Sequence, residues 1–244
     1  VKYGKQPLAE VICQLRFPTI LSINATDPVG FQEEIRADFP YYRKIVNEKE
    51  IVINDEKRSL VRETNHEFLS TDKKTKVNLT SSFVAISSLN YNRWEIFKKK
   101  VQAIRLVLEK IYKPTFYTRV GLRYKDVIDR KKLGMPEKGW VELIQPNILG
   151  IIDKINQFTI RQWSVNSEYM YANSDIATKQ TCCLAEKTGD SLPVMVFDCD
   201  YFKGGNISLQ DVDPLTDRLH DKSSSFLRNA ITEELHNAMI PQEL

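Results

Sequence analysis

Asp198 and Asp200 flank Cys199, so a strand through them presents both carboxylates on one face. Such a pair can hold Mg²⁺ or share a proton. Glu186 and Lys187, on the strand expected before it, are the neighbours a metal-dependent nuclease would want. A wet strand face beside a turn gives the same pattern. Of the three histidines, His220 and His236 stand sixteen residues apart on one expected helix, more than four turns and out of reach of one metal ion. His66 alternates with Thr64 and Phe68 and reads as a surface or half-buried residue. Gly204-Gly205 is the only adjacent glycine pair, and no Lys-Ser/Thr follows it to complete a phosphate cradle. The sequence holds no GxGxxG and no GxSxG. Cys13, Cys182, Cys183 and Cys199 form no CxxC and no Cys–His spacing. They read as small buried hydrophobes of a reduced, cytoplasmic protein. The expectation is therefore no catalytic residue, no metal and no cofactor.

The second chemistry on offer is electrostatic. Lys73, Lys74 and Lys76 make one basic cluster, Lys98, Lys99 and Lys100 another, and Arg130 to Lys132 a third. Tyr41, Tyr42, Tyr91 and Trp94 lie near basic residues, as base stacking with phosphate contacts would use. Residues 1–114 hold 20 Lys+Arg against 14 Asp+Glu, whereas 115–244 hold 15 against 18. The basic half makes Lys73, Lys74, Lys76, Lys98, Lys99 and Lys100 the candidate nucleic-acid contacts. A solvated surface would show the same charges.

The whole chain has 244 residues, 42% hydrophobic and 27% charged, with a net charge of +3. That is the composition of a globular chain, not a disordered one. Nine Gly and ten Pro leave room for long ordered elements. No apolar run approaches the ~20 residues of a membrane span. The opening residues lack an apolar signal core, so no membrane partner is expected.

The elements that would position these groups follow from periodicity. Ala9 to Phe17 reads as a strand, ended by Pro18. Asp27-Pro28 opens a helix with Phe31, Ile35 and Phe39 on its apolar face, Asp as its cap. Strands are expected at 50–54, 59–70 and 76–89. Trp94, Phe97, Val101, Ile104, Leu108 and Ile111 then repeat at three and four residues, the stripe of a core helix closed by Pro114. The order starts again with a strand at 116–128 and a short helix at 140–144. Strands follow at 157–165, 169–187 and 193–202, and a final helix runs from Asp213-Pro214 to about Met239.

Cys13-Gln-Leu-Arg-Phe17 and Val120-Gly-Leu-Arg-Tyr124 sit near the end of the first strand of each series. The fold class read from this is α+β. It is an internal duplication of a β-α-β-β-β-α unit, 1–114 and 115–244, forming one compact body. Each antiparallel sheet would be covered by a long helix, in the manner of TATA-binding-protein or helix-grip folds.

Gln6-Pro-Leu-Ala-Glu-Val-Ile-Cys-Gln-Leu-Arg-Phe17 resembles the start of a sporadically distributed, uncharacterised bacterial family of about this length. Its C-terminal helix is matched here by His220, Phe226 and Ile231-Thr232-Glu233. The family has no assigned activity, so the resemblance transfers no site residue. Its patchy distribution implies an accessory role in mobile or defence cassettes. Without a catalytic constellation, the leading expectation is a non-enzymatic accessory or regulatory protein contacting a protein partner encoded nearby. The alternative is a nucleic-acid-binding module on the basic half. The third is a nuclease on Asp198 and Asp200.

Overall fold

The computed structural model describes residues 2–54, 57–154, 160, 162–187, 189 and 192–242; within 47–62 and 153–154 it describes the backbone alone. The chain opens with β1 (Lys2–Tyr3) and β2 (Leu8–Arg16), then α1 (Ser22–Ala25) and α2 (Val29–Ile35). Four strands follow, β3 (Tyr41–Asn54), β4 (Lys57–Leu69), β5 (Thr75–Leu79) and β6 (Phe83–Ser88), and then α3 (Trp94–Tyr112). After β7 (Tyr117–Ile128) come the short α4 (Arg130–Leu133), α5 (Trp140–Leu143) and α6 (Pro146–Leu149). The series ends with β8 (Ser164–Met170), β9 (Ala177–Ala185), β10 (Val194–Ile207), α7 (Val212–Ala230), α8 (Glu233–Ala238) and β11 (Pro241–Gln242). Nine strands form one sheet in the order β3-β4-β5-β6-β2-β7-β10-β9-β8, and β1 pairs with β11. The chain is thus α+β with a large antiparallel sheet.

Contacts divide the chain into two compact units. The α3 unit comprises Ile12–Gly121 and Gly204–Leu215; the α7 unit comprises Val1–Val11, Leu122–Lys203 and Thr216–Leu244. In the α3 unit the apolar stripe is buried as its spacing predicts: Trp94, Phe97, Val101, Ile104 and Leu108 all lie in the core. Each such side chain contributes about 1.5–3 kcal/mol by leaving water. They share that core with Val77, Leu79, Val84 and Ile86 of β5 and β6. Phe31 of α2 meets Phe68 of β4 with ring centroids 5.5 Å apart. Arg105 shares the buried side of α3 and is engaged through both terminal nitrogens of its guanidinium, while its Nε is buried without a partner among the described residues. Nη1 donates to both oxygens of Glu109 (2.9 and 3.1 Å) and to the Leu209 carbonyl (3.3 Å). Nη2 donates to Asp213 at 2.9 Å, and the Tyr117 hydroxyl donates to Glu109 at 3.0 Å.

In the α7 unit, Leu122, Tyr124 and Ile128 of β7 and Met195, Phe197, Cys199 and Tyr201 of β10 are buried. Here α7 packs Phe226 edge-on to Phe197 at 5.9 Å. His220 takes a 2.8 Å hydrogen bond with the Tyr124 hydroxyl.

Several boundaries depart from the sequence expectation. The segment 76–89 is two strands, because a turn at Thr80–Ser82 closes a hairpin: Thr80 N–H donates to the Phe83 carbonyl. The strand expected at 50–54 begins at Tyr41, whose aromatic and β-branched followers pair continuously with β4. The first series therefore carries four strands after its helix, not three. In the second series β8 covers 164–170; the chain turns at 171–176 before β9. Of the strand expected at 157–165, residues 157–159 and 161 lie outside the described residues, and only 164–165 fall in β8.

The last helix is two, α7 and α8. Thr232 interrupts it, its hydroxyl donating to the Glu142 carbonyl (2.8 Å) and accepting from Leu235 N–H as the cap of α8. Neither expected Asp cap forms. Asp27 spends its carboxylate on Lys44 at 2.8 Å, and Asp213, inside the first turn of α7, on Arg105.

Candidate functional site

The turn between β4 and β5 is built by Ser70. Its hydroxyl donates to Asp72 (2.6 Å) and accepts from Thr75 N–H (3.0 Å), and Lys74 N–H donates to Asp72 (3.0 Å). These hydrogen bonds, the Ser70 hydroxyl first, hold the Asp72 carboxyl below its ordinary range, aided by the charges of Lys74 and Lys100. Lys100 belongs to the first turns of α3, so Asp72 gathers a lysine from each of two clusters that are distant in sequence. Lys99 and Lys100 further line a cleft of about 360 Å³ with Ser70, Thr75, Glu34 and Asp38, over Ile35 and Phe39.

The remaining candidate lysines are placed elsewhere. Lys73, in the left-handed backbone region (φ +56°), puts its ammonium 5.3 Å from the Tyr41 ring centroid, a cation–π contact. Lys76 lies 3.2 Å from Glu67, which also accepts from Asn78 at 3.0 Å and from Arg43. Burial pushes the Glu67 carboxyl up, but these three donors outweigh it and hold it low. Lys76 thus shares one carboxylate with Arg43. Lys98 is half-buried, turned away from Lys99 and Lys100 by the ~100° step of the helix. Composition could not reveal Asp72 and Glu67, the carboxylates that draw Lys74, Lys100 and Lys76 to separate neighbours. Only Ser70-Thr-Asp72 carried a readable signal, a side-chain-bonded turn.

Asp198 and Asp200 do lie on one face of β10, with Thr181 and Lys179 opposite them on β9. Arg123 of β7 clamps Asp198 through two hydrogen bonds of 2.6 Å each, the geometry of a bidentate guanidinium–carboxylate pair. That pair raises the Arg123 pKa further, with Asp200 adding to it. Lys187 turns to Asp129 at 2.9 Å, and Glu186 lies beyond the end of β9, five residues past the partner of Asp198. The four groups are therefore not brought together. Among the described residues no three His, Cys, Asp or Glu side chains converge. Each histidine meets a tyrosine hydroxyl instead: His66 with Tyr42 (2.9 Å), His220 with Tyr124 and His236 with Tyr3 (2.8 Å). His66 is buried, not half-exposed as expected, because it shares the core face of β4 with Phe68; burial lowers its pKa. Burial also pushes the Cys13 thiol up to about 12 and Cys182 up to about 11, leaving both as thiols rather than nucleophiles.

A different feature escaped the sequence reading. β8 is exposed at all seven residues, on both faces, with Val165 at 44%, Tyr169 at 40% and Met170 at 67% exposure. It ends the sheet and, among the described residues, pairs only with β9. Its outer N–H and C=O groups form a template on which another strand can add. The alternation of Val165 with Asn166 gave no hint that both faces are uncovered.

No protein-family model and no curated protein matches this chain.

No helix among the described residues is long and apolar enough to cross a membrane.

Proposed function

We propose that this protein is a non-enzymatic accessory or regulatory subunit that binds a protein partner along the free edge of β8. The observation that carries the reading is that edge, seven residues long, apolar at Val165, Tyr169 and Met170, with a single charged residue, Glu168. Glu168 is drawn to Lys179 at 3.2 Å. Edge strands left long and uncharged attract partner strands unless something covers them. The reading includes a partner encoded nearby, a cytoplasmic setting, and membership of the patchily distributed bacterial family that Gln6–Phe17 resembles. The test is recovery of the partner from the native host by the full-length tagged chain and by a Val165→Asp/Tyr169→Asp variant. Loss of at least about tenfold in the variant, with unchanged circular dichroism, supports it. Equal recovery sinks it.

The same proposal extends to the fold. In sheet order, β2 neighbours the last strand of its series, β6, and β7 neighbours the last strand of its own, β10; a long helix follows each. This shared connectivity supports an internal duplication of the helix-grip or TATA-binding-protein kind.

A second reading, nucleic-acid binding, is favoured by one observation, the gathering of Lys74 and Lys100 on Asp72 beside Lys99. With Lys76 drawn to Glu67, three contacts, Lys74, Lys99 and Lys100, are counted. Binding should then weaken with salt at a log–log slope of about 3 on duplex DNA, at ~0.9 per contact. A Lys99→Glu/Lys100→Glu variant should lower that slope by about 2. No binding to DNA or RNA at low salt retires this reading.

A further inference from the structure

We propose that the α7 unit carries a binding site for a small organic carboxylate with an apolar body, in the cavity between the start of β2 and the β7–α4 corner. The cavity is about 590 Å³, within the size range of small-molecule sites. Its floor is apolar, with Leu8, Ile128 and Val194 among its walls, the last two in the core. The charges sit around it. Three lysines, Lys5, Lys132 and Lys187, face two carboxylates, Asp129 and Glu186.

These charges are not equivalent. Asp129 is buried and fully used: it accepts the Lys132 backbone N–H at 3.1 Å, capping α4, and the Lys187 ammonium at 2.9 Å. Lys187 and Asp129 therefore cancel. Glu186, Lys5 and Lys132 are all exposed at the rim, where water screens them alike, so the three leave a net charge of one positive. Lys5 reaches only a carbonyl, that of Leu133, at 3.4 Å, which leaves its charge uncompensated. The Lys132 ammonium has no carboxylate within ion-pair distance among the described residues. A net positive rim over an apolar floor selects an anion that also has hydrocarbon to bury. A cationic amphiphile meets repulsion there, and a small inorganic anion leaves the floor unused.

The inference is independent of the β8 reading. It is tested by calorimetric titration of the full chain with octanoate, and with octylamine and octanamide as controls. Saturable octanoate binding is expected, at least tenfold tighter than octylamine. Lys132→Glu should weaken octanoate at least tenfold. Ala9→Trp, which builds a ring into the cavity, should abolish it. Should Ala9→Trp fail to fold, Lys132→Glu at the exposed rim still decides. Octanoate and octylamine binding alike, octanoate binding unchanged by Lys132→Glu, or no saturable binding of octanoate would each overturn the proposal.

Discussion

The two units treat a buried charge in opposite ways. In the α3 unit, Arg105 lies in the core face of its helix, yet Glu109, Asp213 and the Leu209 carbonyl take both terminal nitrogens of its guanidinium and the two carboxylates offset its charge, and Tyr117 closes the network. In the α7 unit, Asp126 is equally buried on β7, and burial pushes its carboxyl up to about 7 with no cation near enough, among the described residues, to draw it back. The outer strands show the same contrast. β3, on the α3 side, carries Arg43 and Lys44 among the residues whose side chains are described, charges that discourage strand addition. β8 carries one. The α3 unit is closed chemically; the α7 unit keeps an open edge and an uncompensated group.

Removing the buried charge should therefore have opposite signs in the two units. Arg105→Ala leaves Glu109 poorly compensated in a partly dry site and should cost about 3 kcal/mol, read by denaturant unfolding. No loss would mean that the network is not structural. Asp126→Asn should act the other way, and only as pH rises. The folded carboxyl holds its proton to about pH 7, whereas the unfolded one releases it near 3.8. Stability is thus fully present below pH 4, is lost progressively from about 4 to 7, and levels off above 7. The pH-dependent gain of Asp126→Asn over the wild type should reach up to about 4 kcal/mol at pH 8. A pH-independent difference between the two proteins would show that Asp126 is solvated. The change of salt slope in Lys99→Glu/Lys100→Glu is the smallest of these effects, and it probes the α3 unit alone.

Much of the fold was legible in the sequence because it rests on periodicity. The stripe from Trp94 to Leu108 gave α3 and its buried face directly, and the run of strand-forming residues from Ala9 to Phe17, ended by Pro18, gave β2. What was illegible depended on contacts between residues far apart in sequence. Asp27 and Asp213 look like caps, and only the placement of Lys44 and Arg105 diverts them. Thr232 breaks the last helix because it meets the Glu142 carbonyl ninety residues away. The lysine clusters were visible, but not the carboxylates that partition them. The i, i+2 spacing of Asp198 and Asp200 predicts one strand face, which they share, but nothing local to either residue points to Arg123, 75 residues from Asp198, as the partner. The exposure of β8 could not be read, since a strand pattern does not say whether anything lies against it.

The central claim is that β8, and not β3, is the edge a partner uses. The direct measurement is quantitative mass spectrometry of proteins recovered from the native host by three full-length baits: wild type, Val165→Asp/Tyr169→Asp in β8, and Val46→Asp in β3. The account predicts a partner enriched on the wild type and on the β3 variant, and lost from the β8 variant by about tenfold or more. The same partner recovered equally on the β8 variant, or lost only from the β3 variant, would contradict it.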